Sequence, residues 1–353
     1  MSRVAPVVLL GIGMTAAAAG AQTIVNAELS TEPAGNLART FESLKAGAQE
    51  PLWIGYAVPA TDAGPTCCDD CWNGPRERRG CRLEDDRGVS VQGAGDDRPT
   101  RLEAPPLLQV LWRVAKGDVS KLRVFSAGCA LDAGGLAVRW LTDVKPAESL
   151  ALLASLVDRT AESRRDVSNA AVMAVALHAD AAADAALERF AAPGRPCELR
   201  KDALFWMGVA RGRRGFETLR RAALDDADGR IREHVMFALT QSREPEAIDV
   251  LVASAHDDPA ARVRGQALFW LAQKAGQRAL GAIARAVEDD PDTEVKTKAV
   301  FALSQLPRDQ GVPLLIQQAK GSHNREVRKQ ALFWLGQSGD PRALALFEEI
   351  LKP

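Results

Sequence analysis

Four cysteines lie close together: Cys67, Cys68, Cys71 and Cys81. Thiols grouped this way either form disulfides or hold a metal ion. Zinc sites normally set two cysteine pairs apart, and here the second pair is missing. Cys81 stands alone, and Cys129 would have to join from a distant strand. The four histidines are His178, His234, His256 and His323, so no histidine precedes residue 178. The cysteine segment therefore has no neighbouring imidazole to activate a thiol as a nucleophile. No G-x-S-x-G, P-loop or dinucleotide fingerprint occurs.

Charge narrows the field further. Lysine plus arginine number 45 and aspartate plus glutamate 46, a formal net charge of −1. That balance opposes a protein that works by neutralising nucleic-acid phosphates. Apolar residues make up 46%, enough to build a core.

The N-terminus reads as an export signal. Arg3 is followed by the uncharged run Val4–Gly20, and Ala19-Gly20-Ala21 has the small-x-small form of a cleavage site. The apolar stretch is shorter than a membrane span requires. Cleavage near Ala21 sends the mature chain to the periplasm or the exterior, with no span left in it. An oxidising compartment favours the disulfide reading for Cys67, Cys68, Cys71, Cys81 and Cys129. The alternative is a metal site built from Cys67, Cys68, Cys71 and Cys81. Cys197, further on, is either free or a tie between modules.

These cysteines sit in a strand-rich module. Pro51–Val58 reads as a strand ending at Pro59. Leu107–Val114, Val119–Ala130 and Leu136–Val144 read as three more, with turns at Gly117-Asp118 and Asp132-Ala133-Gly134-Gly135. Tight turns between them imply an antiparallel meander. Pro146-Ala147-Glu148 then opens a helix to about Arg159.

From residue 159 onward the chain repeats. Phe205, Phe237, Phe269, Phe301 and Phe333 each follow the last by 32 residues. Around them Arg264-Gly-Gln-Ala-Leu-Phe-Trp-Leu-Ala272 recurs as Arg328-Lys-Gln-Ala-Leu-Phe-Trp-Leu-Gly336, with variants at residues 200, 232 and 296. A degenerate copy around Met173 makes six. Each copy holds two helices, the second capped by an acidic turn such as Asp257-Asp258-Pro259 or Asp289-Asp290-Pro291. One pair cannot bury its apolar face alone, so neighbours must stack. The segments are residues 1–21 (signal), 22–50, 51–146 (β-rich module) and 147–353 (solenoid).

The pattern Val263-Arg264-x-x-Ala267-x-x-x-Leu271 resembles the short bacterial HEAT repeat, the type named after phycocyanobilin lyases. So does Val327-Arg328-x-x-Ala331-x-x-x-Leu335-Gly336, followed by Asp340-Pro341-Arg342-Ala343-Leu344. The resemblance covers about residues 160–353 and implies a mostly α fold: an α-solenoid of six helix pairs behind a small β-rich module. It says little about function, since such arrays serve many roles. Di-iron hydroxylases of this class use His-Glu pairs in facing repeats. No His-Glu dipeptide occurs here, and the histidines sit at non-equivalent positions.

On a helical wheel Phe269 falls nearly opposite the face made by Val263, Ala267 and Leu271. In the resembled family that slot is usually small, polar or basic, on the helix lining the concave surface. Two readings stand. The five phenylalanines form an aromatic ridge on the concave face, flanked by Gln241, Gln273, Gln305 and Gln337. Or each Phe leans on the adjacent helix, with Trp206, Trp270 and Trp334 alternating with Ala238 and Ala302 for volume. Arg200, Arg232, Arg264, Lys296 and Arg328 form a parallel basic ladder, expected to pair with the acidic turns. The sequence points to an exported scaffold that binds a protein or peptide, with no cofactor, no nucleic acid and no catalytic motif. The alternative is a metal-dependent enzyme, or an accessory subunit of one, built on the cysteine cluster.

Overall fold

The structure is a computed structural model. It describes residues 24–62, 66–67, 81–84, 90–91, 106–127, 129, 131–274 and 277–352. The signal segment, Cys68 and Cys71 lie outside these residues.

The N-terminal part is a sheet covered on both faces. Its strands are β1 (Ile24–Val25), β2 (Glu28–Pro33), β3 (Leu52–Pro59), β4 (Thr66–Cys67), β5 (Cys81–Arg82), β6 (Ser90–Val91), β7 (Leu107–Ala115), β8 (Asp118–Ser126), β9 (Leu131–Asp132) and β10 (Ala137–Thr142). Five of them form the main sheet in the order β2-β10-β3-β7-β8. β7 and β8 form the expected hairpin. β10 does not continue it as a meander: it inserts between β2 and β3, parallel to both. The cause is helix α1 (Leu37–Gly47), which carries the chain from β2 to β3 and leaves a slot between them. Parallel neighbours need such a crossover, and β10 buries Val138 on one face and Leu141 on the other. Gly55 in β3 makes room for this insertion, because a Cβ there would lie 2.7 Å from the Trp140 ring of β10.

One sheet face, with Ile54, Tyr56, Val110, Trp112 and Leu122, packs under α1 and runs without a break into the helical core. The other, with Trp53, Leu111, Phe125 and Val138, is closed by Leu83, Cys129 and Leu131. α1 falls in residues 22–50, where no particular element is predicted from the sequence. Its signal was there: Asn36 caps the Arg39 N–H at 3.0 Å, and Leu37, Phe41 and Leu44 recur at helical spacing.

Helix α2 (Pro146–Thr160) starts the helical array. It continues through α3 (Arg165–Leu177), α4 (Ala182–Ala191), α5 (Cys197–Ala210), α6 (Gly212–Asp225), α7 (Gly229–Gln241), α8 (Ala247–Asp257), α9 (Ala261–Lys274), α10 (Gln277–Asp289), α11 (Thr293–Ser304), α12 (Arg308–Gly321), α13 (Arg325–Ser338) and α14 (Pro341–Leu351). Among the described residues this is an α-solenoid preceded by a small sheet module. α3, α5, α7, α9, α11 and α13 pack in sequence as one row, and α2, α4, α6, α8 and α10 form the row behind. Among the described residues no helix is long and apolar enough to cross a membrane.

One interaction recurs from repeat to repeat. Arg264 Nε and Nη2 donate to Asp290 Oδ2 and Oδ1 at 2.7 and 2.9 Å, while Nη1 donates to the Asp258 carbonyl at 2.9 Å. Arg232 does the same with Asp258 and the Asp226 carbonyl. Arg200 pairs with Asp226. Each aspartate also caps its own turn, as Asp290 does for the Asp292 N–H at 2.9 Å. Burial alone would raise the Asp290 carboxyl; the Arg264 hydrogen bonds and the Asp292 N–H outweigh it and hold it below the usual range.

Between α5 and α13 the clamp is interrupted at Lys296. The position that would serve Lys296 is Ser322, which keeps the capping bond to the Asn324 N–H but has no charge to offer. Lys296 turns instead to the Glu288 carbonyl at 2.6 Å.

Replacing Arg264 by Ala strands a buried aspartate and should cost about 3–5 kcal/mol in urea unfolding. The folded-state Asp290 carboxyl lies below its unfolded value, so its contribution is complete above the ordinary carboxylate range. It is lost as pH falls through the folded-state value, and Asp290→Asn should flatten that part of the acid profile. Lys296→Arg with Ser322→Asp should install the missing clamp and add about 1 kcal/mol; an unchanged urea midpoint would show that the clamp does not transfer.

Candidate functional site

The five phenylalanines lie on equivalent turns of α5, α7, α9, α11 and α13. Phe205, Phe237, Phe269 and Phe301 are half-buried, and Phe333 is 53% exposed. The rings are neither fully packed nor standing free.

The rings join into one chain. Phe205 stacks on Phe237 with centroids 5.6 Å apart and planes 17° apart. Phe237 meets Trp270 at 4.9 Å, and Trp270 meets Phe269 edge-on at 4.9 Å. Phe269 stacks on Phe301 at 6.1 Å and 6°, Phe301 meets Trp334 at 5.1 Å, and Trp334 meets Phe333 at 5.0 Å. Trp206 lies edge-on to Phe205 at the other end.

This geometry explains why Trp alternates with Ala. Where two phenylalanines stack directly, the next position is Ala238 or Ala302, both fully buried. Where they do not, Trp270 or Trp334 bridges the gap. Offset and edge-on aromatic pairs of this kind add about 0.5–1.5 kcal/mol each beyond their buried area. The indole nitrogens of Trp270 and Trp334 are buried without a conventional acceptor, and each ring packs against the Phe of the preceding repeat.

The glutamines sit beside the ridge. Gln241 is half-buried and donates to Thr240 Oγ1 at 2.8 Å. Gln273, Gln305 and Gln337 are exposed, and Gln305 donates to Ser304 Oγ at 3.1 Å. Gln305 and Gln337 come together around a crevice of about 260 Å³ with Leu303, Ser304, Trp334 and Ser338.

The charged groups on these helices mostly neutralise one another. Glu198 pairs with Arg165 and Lys201, Glu233 with Arg262, Glu294 with Lys298 and Glu326 with Lys329. The basic ladder is structural where it is buried, as Arg200, Arg232 and Arg264 show.

Of the cysteines, Cys197 is a free thiol at the start of α5. Cys67 and Cys81 open or close short strands, and β5 pairs with β9 close to the buried Cys129. Among the described residues no group of three or more His, Cys, Asp or Glu could hold a metal ion.

A polar relay unnoticed in the sequence joins the two modules. Tyr56 Oη lies 2.9 Å from Ser149 Oγ, which lies 3.0 Å from His178 Nε2. Burial pushes His178 down to about 4, with Asp180 pulling it up and Arg211 pushing it further down. Burial also raises the Tyr56 hydroxyl. Ser149 and His178 are buried, so the trio resembles a nucleophile–base pair in composition only. It ties β3 to α2 and α3, alongside the backbone bond from Thr61 N–H to the Leu177 carbonyl at 2.8 Å. A lone buried histidine carries no sequence signal of such a role.

Phe237→Ala opens a gap between Phe205 and Trp270 and should cost about 2 kcal/mol, less than a fully buried Phe. Phe333→Ala should cost under about 0.5 kcal/mol, as an exposed side chain does. Equal losses in urea unfolding would mean that the ridge is core throughout.

No curated protein is similar enough to match. Several solved structures are similar at low identity. Human deoxyhypusine hydroxylase is 18% identical over 56% of this chain and 81% of its own, with a TM-score of 0.31. The complex of CpcE and CpcF of phycocyanin lyase from Nostoc sp. PCC7120 is 20% identical over 58% and 80%, with a TM-score of 0.31. Kap121p bound to Nup53p is 16% identical over 60% and 26%, with a TM-score of 0.32. At these values the likeness carries no argument about function. Residues 191–272 and 279–353 match the model of the HEAT repeats family, a span that includes all five ridge phenylalanines.

Proposed function

We propose that the protein is an exported interaction scaffold that binds a protein or peptide along the concave surface of its HEAT array. The observation that supports this most is the chain of half-exposed aromatic rings. Eight rings run across five successive helices, open at their edges and ending in an exposed Phe333. Contiguous apolar surface of that extent marks interaction sites more often than it marks idle surface. Most of the surrounding carboxylates are paired with cations, so the ridge is presented on a nearly neutral field. That combination suits a peptide better than a polyanion.

Export rests on Arg3, the uncharged run after it and Ala19-Gly20-Ala21. Disulfides in the N-terminal module, with Cys129 as one partner, follow from that compartment. With Cys197 free, five cysteines remain, so the chain can close two disulfides and keep one further thiol.

Photo-crosslinkers at Gln305 and Gln337 should capture a partner that a crosslinker at Leu224, exposed on α6, does not. Equal capture from both sides would refute a concave site. Intact mass of the exported protein should begin at Gln22. Alkylation before reduction should label two thiols, one of them Cys197. Thiols that become reactive only after chelation would instead support the metal-dependent reading of Cys67, Cys68, Cys71 and Cys81.

A further inference from the structure

Asp202 breaks the pairing rule of the ridge helices. It lies on α5 one turn before Phe205, so the two side chains share a face. Every other carboxylate within α5, α7, α9, α11 and α13 has an ion pair: Glu198, Glu233, Glu294 and Glu326. Among the described residues Asp202 has none. With its side-chain amide turned so that oxygen and nitrogen both face suitable partners, Asn169 donates to Asp202 Oδ2 at 2.6 Å and to the Arg165 carbonyl at 3.1 Å. Arg165 and Lys201, the nearest cations, direct their contacts to Glu198 at 2.6 and 2.9 Å.

Phe205 is the first rung of the ridge. The equivalent residue of α3 is Met173, so no ring from that helix covers Phe205 as Phe237 does on the other side. At the position of α7 equivalent to Asp202 stands His234, which is largely buried, bonded to the Lys201 carbonyl at 3.0 Å and edge-on to Phe237. Burial lowers that imidazole, with the Lys201 carbonyl acting against it, so it is no standing counter-charge for Asp202 at neutral pH. A half-buried carboxylate beside an aromatic face is the arrangement that receives an organic cation through ion pairing and cation–π attraction.

Resting on the proposed concave site, we propose that Asp202 and Phe205 form a subsite for the ammonium or guanidinium group of a basic side chain in the bound peptide. The ridge then holds the apolar residues of the partner while this end fixes its register by charge. Burial raises the Asp202 carboxyl to about 6, with Arg165 and Lys201 lowering it and Glu198 raising it. The carboxyl is neutral below that value and ionised above it. Affinity for a cation therefore rises with pH through this range, and a bound cation draws the carboxyl down.

The test uses the full chain and defined peptides. Ac-Leu-Ala-Lys-Ala-Leu-amide is compared with its norleucine analogue and with putrescine, by calorimetry and by carbon NMR of the Asp202 carboxyl. The lysine peptide should bind about tenfold tighter than the norleucine peptide at pH 7.5 and lose that margin at pH 5. The free Asp202 resonance should titrate near 6 and move down when the lysine peptide is present. Asp202→Asn keeps the Asn169 contact and removes a buried charge, so the fold should be no less stable, and the lysine peptide should fall to the norleucine level. Equal affinity of the two peptides, or an unchanged affinity in Asp202→Asn, would overturn the subsite. So would putrescine binding as tightly as the peptide, since no peptide residue would then be needed. A loss in Phe301→Ala without one in Asp202→Asn leaves the ridge and removes the subsite. A loss in Asp202→Asn alone keeps the subsite and removes the ridge.

Discussion

The array depends on a buried arginine that holds two turns at once. Arg264 grips the carbonyl of its own turn at Asp258 and the carboxylate of the next at Asp290. Both partners are buried, so neither can relax into water without cost. An isolated helix pair has no such register, and ridge-into-groove packing alone tolerates sliding by a turn. The clamp removes that freedom because its aspartate also holds the turn that leads into the following helix, as Asp290 does through the Asp292 N–H. Each repeat therefore sets the height and rotation of the one after it.

That register is what makes an aromatic ridge possible. Stacked rings such as Phe269 and Phe301, with planes 6° apart, need helices placed to within a fraction of a ring width. The ridge in turn contributes to the seam between repeats, through the tryptophans that bridge the alternate gaps. Packing and presentation are then two faces of one side chain: an inner edge against the neighbouring helix and an outer edge toward solvent. The 64-residue alternation of Trp and Ala follows from volume, since a direct Phe–Phe stack leaves room only for Ala238 or Ala302 beside it.

Much of the solenoid was legible because its signal is repeated. A period of 32 residues, an arginine before the apolar face and an acidic turn after it state the helix pairs several times over. The β-rich module states each strand once. Its hairpin, β7 and β8, was readable from the turn at Gly117-Asp118. The place of β10 was not, because strand order depends on a crossover through α1 rather than on local pattern. At the ridge, the wheel put Phe269 opposite the apolar face but could not reveal that neighbouring rings close on each other across repeats. The exceptional Asp202 was invisible for a similar reason: a missing ion pair is a property of neighbours 32 residues away in the chain, not of the residue itself.

The central claim is that the arginine–aspartate clamp carries register along the array and that its absence at Lys296–Ser322 makes a weak junction. Native-state hydrogen exchange measures this most directly. The account predicts that α13 and α14 open together at a free energy about 1–2 kcal/mol below that of α5, α7 and α9, which are clamped on both sides or joined to a clamped neighbour. Uniform protection from α5 to α14, or a weakest step between α7 and α9, would contradict it.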